Sequence, residues 1–372
     1  MKINPIDGFL YAAMRILKFL DRRSCDLRYF DPDKVKSILL ISTTAIGDTL
    51  LSTPAIKAIR TCYPKAKIIS LFNVKNIELF SNNPYIDIAL PYYGGYKGFL
   101  KTVKTLRRYS PDVALILHGN EPQATPLAYL SHARFIVKVP RSREYDFLLS
   151  NTSNGFRDTS TVHACDLRLQ SASFIKCDTT NKHMTLVVEE KDRATVRGLL
   201  RGIREAGKKM IVGFQPGAAD TYKMWPESRF IELGKRLLSQ FPNVSIVITG
   251  SKDESSLCET IAREIGSGTH SFAGVLTLRQ TAALVKELDL LVTNDTGIMH
   301  IAIALGVKTV SMFCPTDHHG IGAIYDRNLH RIVYADRPCK KCTTKKCSHP
   351  YCMDTITVDE VFRSVLESIG VG

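Results

Sequence analysis

The chain alternates short, mainly apolar runs with stretches of helical periodicity, and it does so twice. In the first half the runs are 37–42 (SILLIS), 67–71 (KIISL), 86–90 (IDIAL) and 113–117 (VALIL), with helical patterns at 48–60 and 99–108. In the second half they are 210–214 (MIVGF), 244–249 (VSIVIT), 288–293 (LDLLVT) and 308–313 (KTVSMF). The helical patterns there fall at 227–240, 254–265, 278–287 and 297–305. Runs of Ile, Val and Leu without polar alternation suit parallel strands covered on both faces. Strand–helix alternation builds doubly wound α/β layers. The pattern weakens between 142 and 185, and a polar-faced helix is expected over 189–206. The expectation is an α/β chain of two Rossmann-like domains, 36–185 and 186–357, facing a central cleft lined by the carboxyl ends of both sheets.

The charge balance narrows the partners. Lys and Arg number 50 against 36 Asp and Glu, a net charge of +14. Such a surplus points to an anionic partner: nucleic acid, an acidic membrane surface or a phosphorylated substrate. There is no recognised nucleic-acid module and no basic stretch interleaved with aromatics, so no nucleic acid is expected. Hydrophobic residues at 44% and charged residues at 23% exclude a disordered or fibrous chain. No apolar run reaches the roughly 18 residues of a membrane span, and Arg15 and Lys18 interrupt what would be a signal sequence. A cytoplasmic protein is expected.

Three strand-to-helix junctions carry candidate chemistry. The first run leads into STTAIGD (42–48), which sets Gly47 and Asp48 at a helix start. Asp48 is either a helix cap or a catalytic carboxylate. The dinucleotide fingerprint G-x-G-x-x-G is absent, which weighs against a simple NAD site. The first run of the second half leads into QPGAADTYKMWP (215–226), where Gly217 permits close backbone approach to a ligand. Lys223 stands two residues before the only Trp, either as a phosphate contact or as a surface lysine. The third junction is TNDTGIMH (293–300): Asp295, Thr296 and Gly297 open a helix, with His300 one turn on. Free amides at such a terminus favour an anion, and a plain capped helix is the other reading.

In this order, Gly47-Asp48, the Pro-Gly…Lys223-x-Trp-Pro segment and the Asn-Asp-Thr-Gly-x-x-His300 segment resemble the family 9 glycosyltransferases, the ADP-heptose:lipopolysaccharide heptosyltransferases. A Pro-Thr-Asp run at 315–317 adds to the likeness, which spans about 36–369. The resemblance implies a GT-B fold, with acceptor in the first domain and nucleotide-sugar in the second. It implies inverting transfer of heptose from ADP-heptose to a hydroxyl of the lipopolysaccharide core, with Asp48 as general base. Lys223 and the Thr296 and Gly297 amides correspond to diphosphate-binding positions, and Asp295 to a residue near the donor sugar. Glu254 corresponds to a ribose-binding acid and Leu276 to an apolar contact with adenine. Gly217, Ala218 and Ala219 fall where backbone meets phosphate; some members carry hydroxyl residues at the alanine positions. No Asp-x-Asp motif is evident near these residues, so no cofactor is expected for catalysis. On the acceptor side, His118 follows a first-domain strand, and Arg141 and Arg143 are candidates for acidic groups. Another nucleotide-sugar or a protein acceptor are alternatives, as is a non-catalytic nucleotide-sugar-binding protein.

Two segments remain. Cys339, Cys342, Cys347 and Cys352 cluster in a lysine-rich loop, 339–352. A structural Zn or Fe, free thiols and disulfides are all open there, and some related heptosyltransferases hold iron in such a segment. The other six cysteines are scattered and are expected to pack as small apolar residues. Residues 1–35 precede the core likeness as an amphipathic extension. It is expected either to pack on the first domain or to lie on the inner leaflet of the cytoplasmic membrane. The helical pattern at 358–369 is expected to cross back to the first domain.

Overall fold

Every strand among the described residues lies parallel to its neighbours, as the continuous apolar runs demand. The computed structural model describes residues 5–23, 25–119, 122–138, 145–151, 162–207, 210–335 and 351–370. The chain divides into two compact units, Met1–Thr185 and Leu186–Gly372. The first contains α1 (Pro5–Leu20), β1 (Ser37–Ser42), α2 (Ile46–Leu50), α3 (Thr53–Cys62), β2 (Lys67–Asn73) and β3 (Ile88–Tyr92). It continues with α4 (Phe99–Arg107), β4 (Val113–His118), α5 (Ala124–Leu130), β5 (Phe135–Lys138) and α6 (Ala164–Ser173). Its sheet order is β3-β2-β1-β4-β5.

The second unit contains α7 (Glu190–Glu205), β6 (Met210–Gln215), α8 (Glu227–Gln240), β7 (Val244–Ile248), α9 (Ser255–Ile265), β8 (Thr269–Ser271) and α10 (Leu278–Lys286). It continues with β9 (Leu290–Asn294), α11 (Gly297–Ala304), β10 (Thr309–Phe313), α12 (His318–Ile321), β11 (His330–Tyr334) and α13 (Val358–Ile369). Its sheet order is β11-β10-β9-β6-β7-β8. In each sheet the first strand lies centrally and the order reverses beside it, between β1 and β4 and between β6 and β9. Ligands of doubly wound sheets bind outside the carboxyl ends of the strands at such a reversal.

Local chemistry accounts for the departures from expectation. The helix expected over 48–60 is two helices, because Pro54 has no N–H to give Leu50. The Thr53 hydroxyl donates to that carbonyl instead, at 2.7 Å. The third strand runs two residues later than expected and contains Pro91, which an edge strand tolerates. Helix α6 falls in the stretch where the pattern weakens. Seven of its ten residues are buried, so it has no polar face to announce it. The edge strand β8 is only three residues long, too short for a periodicity to register.

The C-terminal helix packs within the second unit. Val358, Val361, Phe362 and Val365 of α13 join the core of the second, beside Trp225 and the β10 side chains Val310 and Met312. Each such burial stabilises by about 1.5–3 kcal/mol, which commits the helix to this unit. Arg236 lies 4.0 Å over the Phe362 ring, and Lys308 Nζ donates to the Ser368 carbonyl at 2.9 Å. At the other end of the chain, α1 packs on the first unit. Met14 is buried, and Tyr11 meets Tyr145 and Phe147 with ring centroids 5.4 and 5.5 Å away.

Candidate active site

The reversal in the first sheet gathers the carboxylate, the imidazole and a buried arginine. Ser42 at the end of β1 pairs with His118 of β4, after a register shift that leaves Leu117 unopposed. A bulge of this kind re-aims the side chain that follows. The Thr44 hydroxyl lies 2.6 Å from His118 Nδ1, and His118 Nε2 lies 3.6 Å from Asp48 Oδ1. With the threonine hydroxyl donating to Nδ1, the neutral ring carries its proton on Nε2, facing the carboxylate.

Asp48 is not a helix cap. Ala45 holds the cap position of α2, and Asp48 sits inside the helix with its side chain turned to Arg168. Arg168 Nη2 donates to Asp48 Oδ1 at 3.1 Å. The same guanidinium donates to the Ala164 carbonyl at 2.6 Å and to Ser52 Oγ at 3.3 Å. The Arg168 side chain is 1% exposed, whereas that of Asp48 is 31% exposed. A cation fixed below a half-open carboxylate orients that carboxylate and leaves its outer face to solvent. Sequence reasoning missed Arg168. Its only signal was one arginine among the small and apolar residues of α6.

The reversal in the second sheet gathers most of the donor candidates. Asn294 Nδ2 donates to the Pro216 carbonyl at 2.7 Å, and Trp225 N donates to Asn294 Oδ1 at 3.0 Å. These bonds clamp the loop after β6 to the end of β9. Lys223 Nζ consequently reaches Asp295 Oδ2 at 2.7 Å, a pairing the sequence did not announce. Trp225 is buried and donates from its indole nitrogen to the Ile356 carbonyl at 2.8 Å, which anchors the loop from below. Thr296 caps α11, accepting from Met299 N at 3.4 Å. Gly297 is the first residue of the helix, and His300 is buried one turn on.

Gly217 and Glu254 meet closely. A Cβ built on Gly217 would fall 1.8 Å from Glu254 Oε1, so any side chain there would displace the Glu254 carboxylate. The Glu254 carboxylate is held by Ser251 N, which donates to Oε2 at 2.6 Å in a capping box before α9. Ala218 is half-buried, Ala219 is exposed, and Leu276 is half-buried in the loop before α10. Arg141, Arg143, Cys339, Cys342 and Cys347 lie outside the described residues. Cys352 is described and is buried in the core of the second unit.

Among the described residues, one group of potential metal-ligand atoms lies within 4.8 Å of one another, in Asp317, His318 and His319. Asp317 Oδ1 is already engaged, accepting from His319 N at 2.9 Å. The His318 ring stacks on Tyr334 with centroids 4.4 Å apart. Burial and the neighbouring His319 hold His318 below the ordinary imidazole pKa.

Glycosyltransferase family 9 (heptosyltransferase) matches residues 101–352 of the chain. A lipooligosaccharide heptosyltransferase 2 of Campylobacter jejuni serotype O:6 is 30% identical over 329 residues, covering 87% of this chain and 96% of its own. Among solved structures, a family 9 glycosyltransferase of Veillonella parvula superposes with a TM-score of 0.75 at 20% identity, over 90% of this chain and 97% of that one. The ADP-heptose LPS heptosyltransferase II of Escherichia coli superposes with a TM-score of 0.71, also at 20% identity, over 90% and 99% of the two chains. The fold is the GT-B fold of these enzymes, and the chain belongs to glycosyltransferase family 9, the heptosyltransferase family.

Proposed function

We propose that this glycosyltransferase moves a heptose from ADP-heptose to a hydroxyl of the lipopolysaccharide inner core, at the inner face of the cytoplasmic membrane. The observation that carries this reading is Lys223 Nζ, held 2.7 Å from Asp295 Oδ2 immediately before the Thr296–Gly297 helix start. An ammonium and free helix amides at one strand end suit a leaving diphosphate. The names of the relatives supply the rest: lipooligosaccharide and LPS as acceptors, and ADP-heptose as donor.

In this reaction the acceptor hydroxyl gives its proton to Asp48. Its oxygen attacks the anomeric carbon, and the bond from that carbon to the β-phosphate oxygen breaks with inversion. The electron pair leaves on ADP. Lys223 has three donors and spends one on Asp295, leaving others for the diphosphate. Arg168 keeps the Asp48 carboxylate aimed, and His118 stands beside it. Glu254 takes the ribose hydroxyls, with Gly217 allowing the backbone to approach the phosphates. No cofactor enters this scheme.

The test is ADP release by the purified protein with ADP-heptose and core-truncated lipopolysaccharide. Turnover is expected with ADP-heptose and not with UDP-sugars. Asp48→Ala is expected to abolish turnover while ADP binding persists. Equal activity in that variant removes Asp48 as base, and no turnover with any core-truncated acceptor removes the reading.

A further inference from the structure

Helix α1 turns an apolar face to water. A surface helix ordinarily buries its apolar stripe and exposes its charges. In α1 the charged side chains are engaged by the protein. Asp7 accepts from the Tyr96 hydroxyl, Lys18 Nζ lies 3.0 Å from Cys25 Sγ, and Arg15 lies 4.9 Å over the Phe147 ring. Facing outward are Phe19, 89% exposed, Phe9, 77%, Leu20, 66%, and Ile16, 62%. At 100° per residue these four and Ile6 fall on one continuous face without a charge. Of the 16 exposed large apolar side chains among the described residues, seven belong to α1. An apolar patch this concentrated marks a surface that something covers.

Charge identifies the cover. Residues 1–185 carry 26 Lys and Arg against 15 Asp and Glu, while residues 186–372 carry 24 against 21. Most of the surplus therefore sits on the unit that holds α1. Helix α4 is tied near both ends of α1. Tyr96, just before α4, bonds Asp7, and at the far end Arg107 and Arg23 donate to the neighbouring carbonyls of Leu130 and His132. Along its solvent side α4 exposes Lys101 and Lys104, between the exposed Lys97 before it and Arg108 after it, and it adds Leu100, 77% exposed. A second copy of the chain on this face would bring two such basic rows together. A sheet of anionic headgroups complements them. At 16 residues and about 1.5 Å per residue, α1 is too short to cross a bilayer and suits one lying in its plane.

We propose that α1 docks the protein on an anionic phospholipid surface. Phe9, Ile16, Phe19 and Leu20 enter the interface, and the Lys97, Lys101 and Lys104 row lies over the headgroups. This names the surface behind the membrane location proposed above, and it stands on the geometry of α1 rather than on the sugar transferred. The experiment is sedimentation of the full chain with vesicles, either pure phosphatidylcholine or one quarter phosphatidylglycerol, at low and high salt. No donor, acceptor or turnover enters it, so its failure and that of the transfer reading are distinguishable.

Wild type is expected to bind the anionic vesicles and to release in salt. The double variant F9E/F19E is expected to lose partitioning by about tenfold or more. K101E/K104E is expected to lose anionic binding by about tenfold or more, at roughly fivefold for each charge removed. All four positions are exposed, so both variants are expected to keep the wild-type thermal midpoint. Absence of vesicle binding by wild type, or unchanged binding by F9E/F19E, overturns the proposal. So does a wild-type dimer in sedimentation velocity that F9E/F19E dissolves, because a second copy then covers the face.

Discussion

The carboxylate of Asp48 and the guanidinium of Arg168 stand 3.1 Å apart at the carboxyl end of the central strand of the first sheet. The arginine is sealed from solvent and the aspartate is partly open to it. A buried cation without its partner is costly, and a half-exposed carboxylate without an anchor samples several rotamers. Each residue therefore fixes the other.

Removing the anchor is expected to damage stability and turnover in separable ways. Arg168→Met leaves the partly exposed Asp48 with His118 as its neighbour and is expected to cost about 1.5–3 kcal/mol of stability, the range for losing a charged hydrogen bond. Arg168→Lys keeps the charge but loses the fork, and is expected to fold. Its kcat is expected to fall on the order of a hundredfold with the KM for donor little changed. Urea unfolding and steady-state kinetics read the two effects. A parallel loss in kcat and rise in donor KM would mark Arg168 as structural only.

Gly217→Ala drives a methyl group into the Glu254 carboxylate. That carboxylate is the far end of a side chain and can swing away, so the fold is expected to survive at a cost of about 1 kcal/mol for the lost capping box. Calorimetric titration with ADP is expected to show markedly weaker binding, the result that the proposed ribose contact of Glu254 requires. ADP affinity equal to wild type would separate Glu254 from the nucleotide.

Lys223→Met removes the ammonium and leaves Asp295 without a cation in a buried position. A charge-assisted hydrogen bond contributes about 1.5–3 kcal/mol, so ADP affinity is expected to fall by roughly ten- to a hundredfold. Asp295→Asn keeps the shape and releases the lysine. It is expected to retain ADP binding, and an equal loss in both variants would show that the pair serves folding instead.

Acid is expected to weaken the second unit through His330. Burial holds this imidazole down at about 4, and Nδ1 lies 3.1 Å from Thr309 Oγ1. A group whose folded pKa is depressed binds fewer protons folded than unfolded. Stability is therefore intact above the ordinary histidine pKa of about 6.5 and falls as pH drops toward 4, by about 3 kcal/mol at most. Thermal unfolding across that window checks it. His330→Gln is expected to flatten the slope, and an unchanged slope would assign the acid sensitivity to other groups.

Much of this was legible in the chain itself. Parallel sheets bury both faces of their strands, so runs such as SILLIS and MIVGF announce themselves. The junction residues announced themselves too, because a helix opening straight from a strand demands glycine, threonine and aspartate. That local logic placed Asp48 and Lys223 at strand ends. It could not choose between cap and free carboxylate for Asp48, or assign a partner to Lys223. Arg168 stands 120 residues from Asp48 and Asp295 stands 72 from Lys223, and no periodicity relates residues so far apart.

The sequence by itself determined the α/β layering, its repetition and the family, because each follows from local spacing or from contiguous motifs. Only the tertiary structure decided which long-range partners close each half-site. It also decided that α13 packs on its own unit, and that the apolar face of α1 looks outward. A helical stripe states which residues share a face, and the packing of its neighbours decides whether that face meets core or solvent.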